Sequence, residues 1–352
     1  MLRKKINTAI VCVLFGISSL KAQTDSTKPA PATTYTFSVD AYYRTDFANQ
    51  LSNNKTSFTN SNNSFELGMA SIRVDHSFGK VAATVDLGFG RRAEEFSYND
   101  GETGASKNGF LTLAALKQAY MSYSPSSKIK FTVGKWATHV GWELLDAYAN
   151  RNYSMSYGFS YGPFFHTGVK TDISLGGKSA FMIGIAIPTD RSTTTSSTKV
   201  AIAQFSTGTK DDKLKAYLNF QGTKDLTQFD LVLNGNISSK FAINYDGTVQ
   251  SVKVAGATHS WSSNALYFNY DPTSKFGLTL RGEYFDDKKA VSSGAFGAGI
   301  FAATLSANVH LSNLTIIPEI RLDNASKEIF LKNNGAGTKS AGNFLIAAVY
   351  KF

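Results

Sequence analysis

Three regularities in this 352-residue sequence predict an all-β fold, a transmembrane antiparallel up-and-down β-barrel of about 16 strands, in a range of roughly 14 to 18. Apolar and polar residues alternate with a period of two, short polar turns take turns with longer connections, and aromatic residues gather beside the short turns. Composition agrees. Apolar residues make up 42%, which excludes a disordered chain, while aromatics reach 13% and prolines number only 7. No stretch reaches the roughly 18 consecutive apolar residues of a membrane-spanning helix, and no segment has a helical period of any length.

Residues 1–22 read as an export signal. Arg3, Lys4 and Lys5 make a basic start, Ala9 to Leu20 an apolar stretch, and Ala22 offers a signal peptidase a small residue. Leu20 is larger than the residue preferred three places before such a cut, so the bond itself stays open. Cys12 lies inside the apolar stretch, and Ala9, Ile10 and Val11 before it form no lipid-attachment box, so it is signal filler. From Gln23 onward there is no cysteine, and disulfides cannot stabilise the mature chain. The signal holds four bases (Arg3, Lys4, Lys5, Lys21) and no acid, so its removal takes the net charge from +10 to +6. That is far from a nucleic-acid footprint. A polar leader, residues 23–34 with Pro29 and Pro31, runs into a barrel domain over residues 35–352.

The first strand shows the alternation. In "TYTFSVDAYYRTDF", Tyr35, Phe37, Val39, Ala41 and Tyr43 share one face, and Thr36, Ser38, Asp40, Tyr42 and Arg44 the other. "KLKAYLNFQG" repeats it with Leu214, Ala216, Leu218 and Phe220 against Lys215, Tyr217, Asn219 and Gln221. "FGLTLRGEYF" sets Phe276, Leu278, Leu280 and Tyr284 against Thr279, Arg281 and Glu283.

Short polar turns fall at 77–80, 124–128, 174–178, 207–213, 238–240, 271–275 and 311–313. Longer connections are expected near 48–64, 91–112, 136–162, 188–198, 247–258, 286–298 and 323–342, with one tight exception near 222–226. Together they divide the chain into about eight hairpins. Phe78, Tyr123, Phe131, Phe181, Phe205, Phe241, Tyr270 and Phe276 all stand within a few residues of a short turn, which would ring one end of the barrel with an interfacial girdle. A soluble sandwich also alternates, but it needs neither this asymmetry of turns nor the ring. Hydrocarbon requires paired strand edges and apolar outward side chains, so the membrane barrel is the better account. Its partners are outer-membrane lipid and lipopolysaccharide.

The ending "NFLIAAVYKF" places Phe344, Ile346, Ala348, Tyr350 and Phe352 on one side. A last strand of this kind with a terminal aromatic looks like the signature that the barrel-insertion machinery of Gram-negative outer membranes reads. The same strand must pair with the first, Tyr35 to Phe47, to remove the last open edge.

Residues 131–171, "FTVGKWATHVGWELLDAYANRNYSMSYGFSYGPFFHTGVKT", carry a more specific likeness. Gly134 and Lys135 end a strand, Gly141 and Glu143 follow, then Asn150, Asn152, Tyr153 and Ser154, and finally Pro163, His166, Thr167 and Gly168. In these positions the sequence resembles the β-barrel porin-2, or OmpL-like, family common in Bacteroidetes-type bacteria. The resemblance implies a porin-like barrel in the outer membrane and brings little defined substrate chemistry.

This block joins the fifth and sixth strands. Its Trp136, Trp142, Leu144, Leu145, Tyr148, Tyr153, Tyr157 and Phe159 make an apolar surface that needs a partner, and the inner wall of the barrel would supply one. A loop external to the barrel, packed on its neighbours or on lipopolysaccharide, is the alternative. If the 136–162 loop narrows the lumen, His139, Glu143, Asp146 and Arg151 are its constriction residues and face the aqueous path. The wall facing them is expected to present Arg44, Arg73, Lys130, Lys170, Lys215, Arg281 and Arg321 together with Asp86, Glu283 and Glu319, a balance that leans toward anions.

Chemistry beyond a pore finds little support. "GFSYG" centres Ser160 in a nucleophile-like pattern six residues before His166, but Pro163 and a strand follow where an elbow needs a helix. His76, His139, His166, His259 and His310 lack ligand spacing, His166 and His310 reading as lumen-wall residues, and "GAFGAG" lacks the setting of a dinucleotide site, so no metal or cofactor is expected. Two functions remain: a passive channel for small hydrophilic solutes, and a barrel plugged by its inner loop that binds an external partner through loops such as 91–109 and 190–200. An outer-membrane hydrolase built on Ser160 is a minor third. A homo-oligomer is compatible with all of them.

Overall fold

The computed structural model describes residues 31–100 and 112–352. The expected signal segment, most of the polar leader and residues 101–111 of the 91–112 connection lie outside the described residues.

Sixteen antiparallel strands close into one barrel, each paired with its neighbours in sequence and the last with the first. They are β1 Ala32–Asp46, β2 Ser64–Phe78, β3 Val81–Phe89, β4 Leu116–Ser126, β5 Ile129–Ala137, β6 Phe165–Gly176, β7 Ser179–Ala186 and β8 Val200–Gly208. The second half comprises β9 Leu214–Gly222, β10 Leu226–Asn236, β11 Phe241–Val254, β12 Ala257–Thr273, β13 Phe276–Asp286, β14 Gly299–Leu311, β15 Leu314–Ala325 and β16 Ser340–Lys351. A two-residue ladder, Phe330–Leu331 with Gly337–Thr338, sits in the last long loop.

The seam forms as the chain ending requires. β1 and β16 pair from Ser38 with Lys351 to Asp46 with Asn343. Phe352 then exchanges both backbone hydrogen bonds with Phe37, at 2.9 and 3.0 Å, and stacks on its ring at 5.1 Å. The terminal aromatic therefore closes the ladder as well as facing lipid.

Alternation sorts the side chains by solvent. Ser38, Asp40, Tyr42 and Arg44 are buried inside, while Tyr35 and Val39 are exposed on the lipid side. Girdle residues meet across strands as register partners: Tyr123 with Phe131, Phe181 with Phe205, and Phe241 with Tyr270. Such cross-strand aromatic pairs stabilise a sheet beyond its backbone ladder.

One expected connection differs. Instead of a long loop over 247–258, β11 and β12 run on to a two-residue turn at Ala255 and Gly256, both at positive φ (48° and 86°), the geometry of a tight hairpin. Beyond the hydrocarbon neither face of the hairpin needs to be apolar, so the ladder continues where the period-two pattern has faded. β1 also begins at Ala32, three residues before the expected Tyr35. Two short helices occur where none was expected, α1 Arg91–Phe96 and α2 Tyr157–Tyr161, and a third turn of helix spans Thr112–Ala115. All are too short to leave a 3.6-residue period.

Strand spacing explains two glycines of the family-like block. Gly134 and Gly168 are direct register partners on β5 and β6. A Cβ on Gly134 would stand 2.2 Å from the Ala119 carbonyl oxygen, and one on Gly168 2.2 Å from that of Ile185. Gly134 also has φ +133°, a conformation open to glycine. We predict that Gly168→Ala lowers stability by about 1–3 kcal/mol, the usual cost of overpacking. The urea midpoint of the compact, heat-modifiable gel species measures it; an unchanged midpoint would show that the strands part freely.

Candidate functional site

Loop 138–164 leaves β5 and returns to β6, yet its partners lie on the far wall. β13 is eight strands from β5 in either direction around the barrel, and it carries Arg281 and Glu283. Arg281 Nη1 reaches Glu143 Oε1 at 2.6 Å and donates to the Ser154 carbonyl at 2.8 Å. Glu283 accepts the Tyr157 and Gly158 backbone N–H groups, both at 2.8 Å. On β15, Glu319 accepts the N–H groups of Tyr153 and Ser154 at 2.8 and 3.2 Å, and Arg321 donates to the Met155 carbonyl at 2.7 Å. Wall carboxylates thus hold backbone donors that an irregular loop leaves unpaired.

Other stretches of the loop are held in the same way. The root is fixed by His139, whose Nε2 donates to the Phe220 carbonyl at 3.0 Å, and by the Gly141 and Trp142 N–H groups on Asp230 and Asp246, each at 3.0 Å. Gly141 adopts φ +87° there. Trp142 packs on Tyr267 with ring centroids 4.2 Å apart. Lys117 of β4 bridges Asp146 at 2.6 Å and Asp86 at 3.0 Å. Arg151 pairs with Asp271 at 2.6 Å and donates to Thr279. Ser156 caps α2 by accepting the Phe159 N–H.

The apolar surface of the loop finds apolar wall. Ala147 and Tyr148 pack with inward Leu345, Ala347 and Val349 of β16 and Ile317 of β15. Phe159, Leu145 and Met155 join Phe58 of the β1–β2 loop, and Phe96 of α1, in one buried cluster. Arg92 of α1 is fully buried there, its guanidinium 5.0 Å from the Phe58 ring and 4.8 Å from the Tyr153 ring, donating to the Leu145 and Tyr153 carbonyls.

The constriction residues expected from the sequence are therefore engaged by the wall. Glu143 is 4% exposed, Asp146 and Arg151 are ion-paired, and His139 is half-buried. Most of the expected wall bases also have carboxylate partners: Arg73 with Asp75, Lys130 and Lys170 with Asp172, Lys215 with Asp212, and Arg321 with Asp323. Arg44 instead donates to the Ser61 carbonyl. In the family-like block, Lys135 pairs with Asp100 and sits 3.8 Å over the Phe165 ring. Asn150 bonds both the N–H and the carbonyl of Leu144, Asn152 donates to Ser306, and Tyr153 donates its hydroxyl to Asp40 at 2.5 Å. His166 is buried beside Thr138 and His139, while Pro163 is buried and Thr167 takes a backbone bond from Ile187. His310 bonds Thr315.

Ser160 has two partners, the Ser156 carbonyl to which it donates and the Ser57 N–H from which it accepts, neither of them a base. Among the described residues, no group of three or more His, Cys, Asp or Glu is arranged to hold a metal.

Sequence reasoning missed Arg92, Asp230, Asp246 and Asp323 as inward or loop-anchoring groups, and it set Asp40 on the polar face of β1 without counting it among the wall charges. The strand parity that placed Arg44 inside also places Asp40 there, so a parity rule applied to every strand would have found the acids. No local signal marks Arg92.

A closed sixteen-strand barrel with a wet interior, an apolar exterior and a loop folded into the lumen defines a porin-like outer-membrane barrel. The chain belongs to the family described as "Putative beta-barrel porin-2, OmpL-like", whose profile matches residues 33–352. No curated protein matches it. Solved structures with the same fold include the outer-membrane channel DcaP of Acinetobacter baumannii, 12% identical with TM-score 0.60 over 92% of this chain and 97% of that one. Another is the anion-selective porin of Comamonas acidovorans, 12% identical, TM-score 0.61, covering 92% and 100%. OmpT of Vibrio cholerae is 11% identical, TM-score 0.59, covering 93% and 99%. The family and fold point to a channel and not to an enzyme, in contact with membrane lipid and small solutes.

Two expectations follow for the loop. Removing one partner of the buried Arg281–Glu143 pair, by Arg281→Met or Glu143→Gln, should cost about 3–5 kcal/mol, with the double variant losing less than the sum of the two. Urea unfolding of the four proteins tests this; additive losses would mean the pair is not coupled.

The second concerns the β7–β8 loop, where Asp190 accepts the Phe164 and Phe165 N–H groups at 2.6 and 2.9 Å and holds the end of loop 138–164. Burial pushes the Asp190 carboxyl up to about 7, against the opposing pull of those two N–H groups, the Tyr98 hydroxyl and Lys135. A carboxyl raised on folding contributes stability that is complete below the unfolded value of about 4 and is lost as pH rises through about 7. Hydrogen exchange at Phe164 and Phe165 should therefore speed up from pH 5 to pH 8, after correction for intrinsic rates. Asp190→Asn should flatten the trend; the same slope in that variant would assign it elsewhere.

Proposed function

We propose that the protein is a passive outer-membrane channel for small hydrophilic solutes, exported by the signal at residues 1–22 ahead of a polar leader (23–34) and inserted through its Phe352-terminated strand. In this reading loop 138–164 sets the pore width, with His139, Glu143, Asp146 and Arg151 as constriction residues. The observation that carries it is the attachment of the loop to the strand opposite its origin through Arg281–Glu143 and the two N–H bonds to Glu283. Side chains in such a ring set ion preference by their field and the pore width. Any anion preference is small, because the wall bases are matched by carboxylates, including Asp40, Asp172, Asp230, Asp246, Asp271 and Asp323, that the sequence balance did not include.

A second reading has its own observation. Every strand of the barrel carries at least one buried inward residue, such as Asp40, Lys117, Asn219, Thr279 and Leu345, which favours a lumen filled by its loops and a barrel that binds a partner outside. Oligomeric state does not separate the two.

Single-channel conductance of the refolded mature chain under a salt gradient decides between them. Stable steps with a reversal potential close to zero, or slightly on the anion side, support the channel, and Glu143→Ala together with Arg281→Ala should then raise the step size. A folded barrel without steps puts the binding reading first.

A further inference from the structure

Lysine closes six of the seven short turns. It is the residue just before the return strand at Lys80 (β3), Lys128 (β5), Lys178 (β7), Lys213 (β9), Lys240 (β11) and Lys275 (β13), and only the turn before β15 ends otherwise, on Asn313. Lys210 adds a further base in the β8–β9 turn, and all of these lysines are exposed. Among the described residues, Lys178 pairs with Asp212 at 2.8 Å and Lys213 with Asp211 at 3.1 Å, while Lys80 donates to the Pro125 carbonyl at 2.8 Å. No described ion pair at this end includes Lys128, Lys210, Lys240 or Lys275.

These charges stand just beyond the lipid-facing belt. The residues that follow Lys80, Lys128 and Lys213 are Val81, Ile129 and Leu214, all exposed on the lipid side, and those that follow Lys240 and Lys275 are the aromatics Phe241 and Phe276. Phe78, Phe131 and Phe181 lie two or three residues from Lys80, Lys128 and Lys178. One to three residues cover roughly 3–10 Å along a strand, and less along the membrane normal because the strands tilt. A bilayer of about 40–45 Å around a hydrocarbon core of about 30 Å leaves a headgroup layer of roughly 5–8 Å on each side, so the ammonium groups fall at headgroup depth. Lysines there lay their stems on apolar surface and keep the charge in the polar layer. Successive turns are two strands, or about 10 Å, apart, so the charges form an arc from β2 to β13 that continues the lipid-facing surface. In barrels of this class the short turns face the periplasm. We propose that this arc binds anionic phospholipid headgroups of the periplasmic leaflet, whose phosphates meet the unpaired Lys128, Lys210, Lys240 and Lys275. A soluble periplasmic polyanion would meet the same charges but gain nothing from the apolar and aromatic belt beside them. Headgroup binding does not depend on an open lumen.

Spin-labelled phospholipid serves as the probe. The full mature chain is reconstituted in phosphatidylcholine vesicles, where both leaflets are alike and barrel orientation does not matter. The motionally restricted fraction of spin-labelled phosphatidylglycerol is compared with that of spin-labelled phosphatidylcholine. A lysine beside an anionic headgroup favours it about fivefold, which averages to about a twofold preference over boundary lipid that touches no lysine. Expected is that preference at low salt and its loss in about 1 M salt, where the Debye length is about 3 Å. The variant combining Lys128→Gln, Lys210→Gln, Lys240→Gln and Lys275→Gln should lose at least half of the excess, while Lys253→Gln, at the tip of the opposite β11–β12 hairpin, keeps it. If the fourfold variant yields no heat-modifiable band, Lys240→Gln with Lys275→Gln replaces it and must still lower the excess. Equal restricted fractions in the parent, or an excess that the lysine variants leave intact, overturns the proposal. A parent without lipid preference that sediments with peptidoglycan fragments overturns it too, and gives the arc to a periplasmic polymer. Conductance is read separately, so the channel reading and the headgroup arc fall independently.

Discussion

Everything in this molecule follows from the rule that hydrocarbon offers no hydrogen bonds to a polypeptide backbone. A strand in that medium must have a neighbour on each side, and the sixteen-strand ladder satisfies the rule only because β16 returns to β1. Closure fixes the direction of every side chain. Odd and even positions become lipid and lumen, and the polar half of each strand is turned inward onto the loops. The Phe37–Phe352 contact stands where that closure is completed.

An interior lined with polar groups then demands partners of its own. Asp40, Glu283 and Glu319 are buried carboxylates, and each receives donors from loop 138–164, which in turn would otherwise bury unpaired backbone N–H groups. Loop and wall therefore satisfy one another. Buried ion pairs such as Arg281–Glu143 add little net stability compared with an apolar filling, but they are intolerant of losing one member, which makes them registers for loop position more than sources of folding energy. Apolar patches complete the fit: Leu345, Ala347 and Val349, facing inward from the terminal strand, meet Ala147 and Tyr148.

Much of this was legible before any coordinates. The seven short turns fall where the polar runs of three to seven residues stand, and the register partners Tyr123–Phe131 and Phe181–Phe205 come from the aromatics beside those turns. The 247–258 hairpin was not legible, because outside the bilayer no solvent contrast imprints a period on its strands. Nor were α1 and α2, each less than two full turns long. For the site, the sequence supplied the loop, its apolar content and four of its charged wall partners, Arg281, Glu283, Glu319 and Arg321. Pairings such as Glu143 with Arg281, 138 residues apart, carry no local trace.

The sequence by itself determined the class of fold, the side of each strand that meets lipid, the ends at which turns and aromatics gather, and the segment able to enter the lumen. These are local properties, written in periods of two and in turn chemistry. Tertiary structure alone decided which carboxylate holds which N–H, that Arg92 lies between Phe58 and Tyr153, and that Asp230 and Asp246 share one small cavity. Those outcomes depend on barrel closure folding the loops inward against wall strands as far as eight places from their origin, a distance relation that no stretch of the chain contains.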